Sequence, residues 1–209
     1  MRRLVVFGDS IAFGQGVSLH LGWVAQLSQR IQSQFGDDIL IVNSSVNGST
    51  THGALNRIAY EIQSPGVDVV IIQFGLNDCN YWVTDKGLPR VSKESFQSNL
   101  NEIIDRSQNF GAHKIFLLTN HPTNRKVPFD HAPVSYQDSN KDYNKIIRKV
   151  AELKSVIQLI DIETIFEIES ELNTPQGHLL EDGLHLNLVG HEIYAKTIIP
   201  KVVEYLKQS

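Results

Sequence analysis

The chain has 209 residues, 41% of them hydrophobic and 20% charged, with a formal net charge of −4. That length can bury a full core without disulfides or metals, and that composition excludes a disordered or fibrous chain. The scattered charge offers no basic stripe for phosphates, which argues against nucleic acid as a partner; no apolar run reaches the length of a membrane span; and the single cysteine, Cys79, excludes an internal disulfide and a multi-cysteine zinc site.

Residues 4–7 are a short apolar run closed by Gly8, the pattern of a buried strand feeding a turn. Helical spacing follows over 23–35 through Leu27 and Ile31, then a second strand over 39–42 that ends in a small-polar stretch, 44–51. A helix carrying Leu55, Ile58 and Ile62 stops before Pro65. Residues 67–74 form the strongest strand pattern, β-branched, apolar and closed by Gly75. Ser92 caps a helix through Phe96, Leu100, Ile103 and Ile104, with Gly111 past its end. The fourth strand is 114–118, followed by a long polar loop over 119–136. A helix through Tyr143, Ile146, Ile147, Val150 and Leu153 leads to a fifth strand over 156–162. The last helix starts near Asn187 and runs toward Leu206, and Pro200 is expected to break or kink it.

Five buried strands alternating with helices predict an α/β protein. The expected architecture is a three-layer α/β/α sandwich on a five-stranded parallel sheet, one domain over 1–209. In such sheets ligands sit beyond the carboxyl ends of the strands. Ser10, Gly48 and Asn77 each lie just after a predicted strand end.

Those positions hold the parts for nucleophilic acyl transfer. Ser10 offers a hydroxyl, and His185 is the candidate base. Asp182, three residues earlier, can fix the imidazole tautomer through one tight turn. The backbone N–H groups of Ser10 and Gly48 and the side-chain amide of Asn77 are candidate oxyanion donors. The second glycine of the α/β-hydrolase nucleophile elbow is absent from Gly8-Asp9-Ser10-Ile11-Ala12. With its blocks Gly8-Asp9-Ser10, Gly48, Gly75-Leu76-Asn77-Asp78 and Asp182-x-x-His185, the chain resembles the SGNH hydrolases, also called GDSL esterases and lipases. Ile11 stands where the family name has leucine, a change of little volume. The resemblance implies a flavodoxin-like fold, hydrolysis of esters or thioesters, and no cofactor.

Each block also has a plain reading as a turn, a helix cap or a surface ion pair. Asp9 is read as structural, accepting N–H bonds within the nucleophile turn. Asp78 is read the same way, with substrate contact as the alternative. His178, Asp182, His185 and His191 fit no familiar zinc spacing, and His191 is read as packed on the last helix. Cys79 is read as a small buried filler rather than a nucleophile. Phe13, Leu76, Tyr81 and Trp82 sit beside the motifs as pocket walls or as core. The 119–136 loop carries His121, Asn124, Arg125, Lys126 and His131 and is either a basic lid, with His121 and Arg125 meeting substrate, or a solvated surface.

The expected partner is a small-molecule or glycan ester. A carboxylic ester with a small or medium acyl group is the leading substrate. A thioester, a sugar acetate and acyl transfer to another hydroxyl use the same residues, and a catalytically idle binding module is the alternative of another class. Only four apolar residues separate Arg3 from Gly8, too few for a signal-peptide core, so a cytoplasmic location is expected if Met1 is the native start.

Overall fold

The computed structural model describes residues 1–132, 134–171 and 177–208, with the backbone alone at 170 and 171. Its five strands are β1 (Arg2–Gly8), β2 (Ile39–Asn43), β3 (Val69–Gln73), β4 (Lys114–Leu118) and β5 (Ile157–Ile160). All pair in parallel in the order β2-β1-β3-β4-β5. The helices are α1 (Ser10–Phe13), α2 (Trp23–Phe35), α3 (Thr51–Ile58), α4 (Lys93–Asn109), α5 (Tyr136–Ala151), α6 (Ile162–Glu171) and α7 (Leu188–Gln208). α2 packs on α7, while α4 packs against both α3 and α5. At the centre of the sheet every residue of β3 is buried, while Leu40 and Asn43 on the edge strand β2 are exposed. No helix among the described residues is long and apolar enough to cross a membrane.

This strand order is the flavodoxin-like one, and it creates a switch point between β1 and β3. The chain leaves β1 toward β2 on one side and returns through β3 on the other. The loops after β1 and β3 consequently diverge and open a crevice. Ser10 follows β1 and Asn77 follows β3, so both flank that crevice.

Ser92 caps α4 through a bond from the Ser95 N–H to its hydroxyl, and α5 starts where the polar loop was expected to end. Two readings need correction. The fifth strand stops at Ile160, because Asp161 accepts the Thr164 N–H and starts α6, an element the sequence reading missed. The helix after β2 needs none: it carries Leu55, Ile58 and Ile62 and ends before Pro65, its last part a π-turn over Ala59–Gln63. Pro200 does not break α7: the helix continues through it, and burial of Ile198 before it and Val202, Val203 and Leu206 after it offsets the lost hydrogen bond.

Candidate active site

Asp9 heads α1 in an extended conformation, and its Oδ1 accepts the Ile11 N–H at 2.9 Å. This cap turns the chain directly out of β1 and makes Ser10 the first helical residue. A first-turn N–H has no intrahelical acceptor, so that of Ser10 is available to a ligand. The Trp23 indole donates to the Ile11 carbonyl at 3.1 Å and pins α1 to α2.

The histidine comes from a turn of four residues. Asp182 Oδ1 accepts the N–H groups of Leu184 (2.8 Å) and His185 (2.9 Å). Its Oδ2 lies 2.5 Å from His185 Nδ1. A carboxylate only accepts, so Nδ1 carries the ring proton and Nε2 presents its lone pair. That lone pair lies 3.0 Å from Ser10 Oγ, across 175 residues of chain. Burial pushes the Asp182 carboxyl up, but the bonds from the His185 ring and the two backbone N–H groups outweigh it and hold the group at about 2.

The remaining polar groups join three loops. Asn77 Nδ2 donates to the Ser49 carbonyl at 3.2 Å and reaches Asp9 Oδ2 at 3.4 Å. Its amide is thus tethered to the residue after Gly48 and to the residue before Ser10. Gly48 has φ +73°, and no atom lies within 4 Å of where a Cβ would stand, so backbone conformation rather than crowding requires glycine there. Asp9 is fully buried, and burial raises its carboxyl to about 7 against the pull of the Ile11 N–H and the Gln73 and Asn77 amides. Asp78 is also fully buried; its Oδ1 accepts the Thr51 N–H at 2.9 Å and the Thr51 hydroxyl at 2.5 Å. Both acids join loop to loop within the protein, as their structural reading required. Cys79 is buried with its thiol pushed well above the usual range by desolvation, the state of a filler. His191 is buried on α7 and accepts the Trp23 N–H at 3.3 Å.

Two expected substrate contacts are corrected. His121 is fully buried, with Nδ1 2.8 Å from the Tyr194 hydroxyl and Nε2 2.8 Å from the Leu184 carbonyl, so it offers a substrate no face. Leu76 is core, and its carbonyl accepts the Tyr136 hydroxyl. The basic-lid reading loses further members: His131 bonds the Tyr81 carbonyl at 3.0 Å, and Arg125 Nε donates to the Asp182 carbonyl at 2.9 Å. Phe13 (41% exposed) and Trp82 (47% exposed) do present surface, with Arg90 stacked on the Trp82 ring. Tyr81 is partly buried against Phe129.

The sequence reading missed a polar stripe on α5. Tyr136, Ser139, Asn140 and Asn144 are buried and bond the backbones of Leu76, Cys79, His121 and Asn120. Their spacing alongside Tyr143 and Ile147 places them on the inward face, a detectable signal.

A serine, an imidazole and a carboxylate in bonded series at the strand ends of a flavodoxin-like sheet define a serine hydrolase of the α/β/α class. Residues 6–193 match the GDSL-like lipase/acylhydrolase family, and the chain belongs to it. It is a carboxylic ester hydrolase with the SGNH hydrolase fold. An arylesterase of Vibrio mimicus is 26% identical over 204 residues, covering 98% of this chain and 90% of that protein. Esterase TesA of Pseudomonas aeruginosa is 26% identical over 199 residues, covering 95% and 87%. The crystal structure of a lipase/acylhydrolase from Enterococcus faecalis superposes with a TM-score of 0.75 at 25% identity, covering 97% of this chain and 95% of that one.

Proposed function

We propose that the enzyme cleaves carboxylic esters with small or medium acyl groups through an acyl-enzyme on Ser10. The observation that carries this reading is the series Ser10 Oγ to His185 Nε2 at 3.0 Å and His185 Nδ1 to Asp182 at 2.5 Å. Ser10 Oγ attacks the ester carbonyl and its proton passes to Nε2. The charge that develops on the carbonyl oxygen meets the N–H groups of Ser10 and Gly48 and the amide of Asn77, which turns from the Ser49 carbonyl to the oxyanion. His185 returns the proton to the leaving alcohol as the C–O bond breaks. Water then attacks the acyl-enzyme, gives a proton to Nε2, and releases the acid and Ser10. Asp182 stays ionised to about pH 2, so it supports the imidazolium throughout.

The name of the Vibrio mimicus relative supports a short aryl ester as the first substrate to test. The exposed faces of Phe13 and Trp82, with the Tyr81 ring next to Trp82 in sequence, are the residues we assign to substrate contact. All other reacting groups belong to the chain, the ester and water. The buried, unpaired Cys79 fits a reducing compartment such as the cytoplasm, and the net charge of −4 fits a partner other than nucleic acid. Ser10→Ala should lower turnover of p-nitrophenyl acetate by about 10⁴-fold or more while the far-ultraviolet circular dichroism is unchanged. A folded variant with wild-type turnover overturns the reading.

A further inference from the structure

The carbonyls of residues 182, 183 and 184 all accept hydrogen bonds from one segment, residues 121–125. Arg125 Nε donates to the Asp182 carbonyl at 2.9 Å, the Asn124 N–H donates to the Gly183 carbonyl at 2.9 Å, and His121 Nε2 bonds the Leu184 carbonyl at 2.8 Å. The next carbonyl, that of His185, accepts the Leu180 N–H at 2.7 Å. Gly183 has φ +68°, and a Cβ there would stand 3.2 Å from Asn124 Cβ, so the two segments are closely seated.

We propose that His121 is a positioning residue for the Asp182–His185 pair. As a neutral Nε2–H donor to the Leu184 carbonyl, it sets the backbone from which the His185 ring reaches Ser10. The chemistry of the partners assigns the tautomer. A carbonyl only accepts, so Nε2 must carry the proton; Nδ1 then accepts from the Tyr194 hydroxyl. Desolvation holds the ring down at about 4, which keeps this donor–acceptor pattern at neutral pH.

Tyr194 extends the device to the nucleophile. Its ring packs 5.9 Å from that of Trp23, whose indole holds the Ile11 carbonyl of α1. Phe166 closes the nest, at 5.4 Å from the His121 ring and 5.6 Å from Tyr194. One aromatic cluster therefore supports both the helix that carries Ser10 and the turn that carries His185. His121 touches neither substrate nor reacting atoms. Its effect passes through the Leu184 backbone, directly before His185.

The inference rests on the proposed roles of Ser10 and His185, and the test separates the two. Covalent labelling of the wild-type protein at Ser10 by a fluorophosphonate probes those roles; the His121 variants probe the positioning. His121→Phe keeps ring volume and removes the donor, while His121→Gln places an N–H donor at similar reach. His121→Phe should lower kcat on p-nitrophenyl acetate and the fluorophosphonate labelling rate by about 100-fold, as a misplacement near 1 Å does, with KM within about threefold. His121→Gln should recover most of that loss. A folded His121→Phe with wild-type kcat, or a His121→Gln as impaired as His121→Phe, overturns the proposal. If His121→Phe fails to fold, ¹⁵N spectra of the histidine-labelled wild-type protein decide: the Nε2–H tautomer of His121 supports it, and the Nδ1–H tautomer overturns it.

Discussion

Replacing Asp78 with asparagine should make the protein more stable at mildly alkaline pH, although it removes a conspicuous acid beside the active site. Asp78 is fully buried, Oδ1 takes both Thr51 donors, and Oδ2 has no partner. Desolvation is the largest influence on it, and against the Thr51 bonds and a weak pull from Arg90 it raises the carboxyl from 3.8 to about 6. A group raised in the folded state contributes stability that is complete below 3.8 and is lost as pH rises through about 6. At about 1.4 kcal/mol per tenfold change, keeping the buried carboxylate ionised above that range costs the folded state about 3 kcal/mol.

Asparagine has nearly the same shape, keeps an oxygen for Thr51, and stays neutral. It also removes the repulsion that Asp78 exerts on Asp9. Any packing change from the new NH₂ group is independent of pH and cancels when two pH values are compared. Urea unfolding of both proteins at about pH 3 and about pH 8 should show the variant gaining about 3 kcal/mol on the wild type between them. A difference that is flat with pH, or that moves against the variant at higher pH, would refute a buried carboxylate held in its ionised form at a cost.

Asn77→Ala should reduce kcat by about 10²- to 10³-fold with little change in KM, as removal of one oxyanion donor does; an unchanged kcat on p-nitrophenyl acetate would take Asn77 out of that role. Gly48→Ala meets no steric obstacle but forces a side chain into left-handed backbone at φ +73°. It should lower stability in thermal melts by about 1–2 kcal/mol, and a melt equal to wild type would show that the turn relaxes freely.

The legible parts of the site were those built from neighbours in sequence. Asp182 and His185 share one turn, and both backbone N–H groups that Asp182 accepts lie within it. Asp9 caps the helix that starts at the next residue. Short-range hydrogen bonding of this kind leaves its pattern in adjacent residue types, and so do the apolar runs of the strands. α6 escaped because Asp161 was absorbed into a strand pattern, although Ile162, Ile165 and Phe166 already had helical spacing after a capping acid. His121 was misread for a different reason. A histidine in a polar loop looks exposed until the loop folds back, and its two partners lie 63 and 73 residues away.

By itself the amino-acid sequence determined the alternation of strand and helix, the turns that close each strand, and the chemical types available at the strand ends. These follow from backbone preference and periodicity, which act over a few residues. Tertiary structure alone decided that Ser10 and His185 meet, that the β1–β3 divergence opens beside them, and that His121 is buried against the Leu184 carbonyl and the Tyr194 hydroxyl. Such pairings depend on how distant surfaces pack, and the same side chain serves as ligand, base or brace according to which carbonyl or hydroxyl is brought against it.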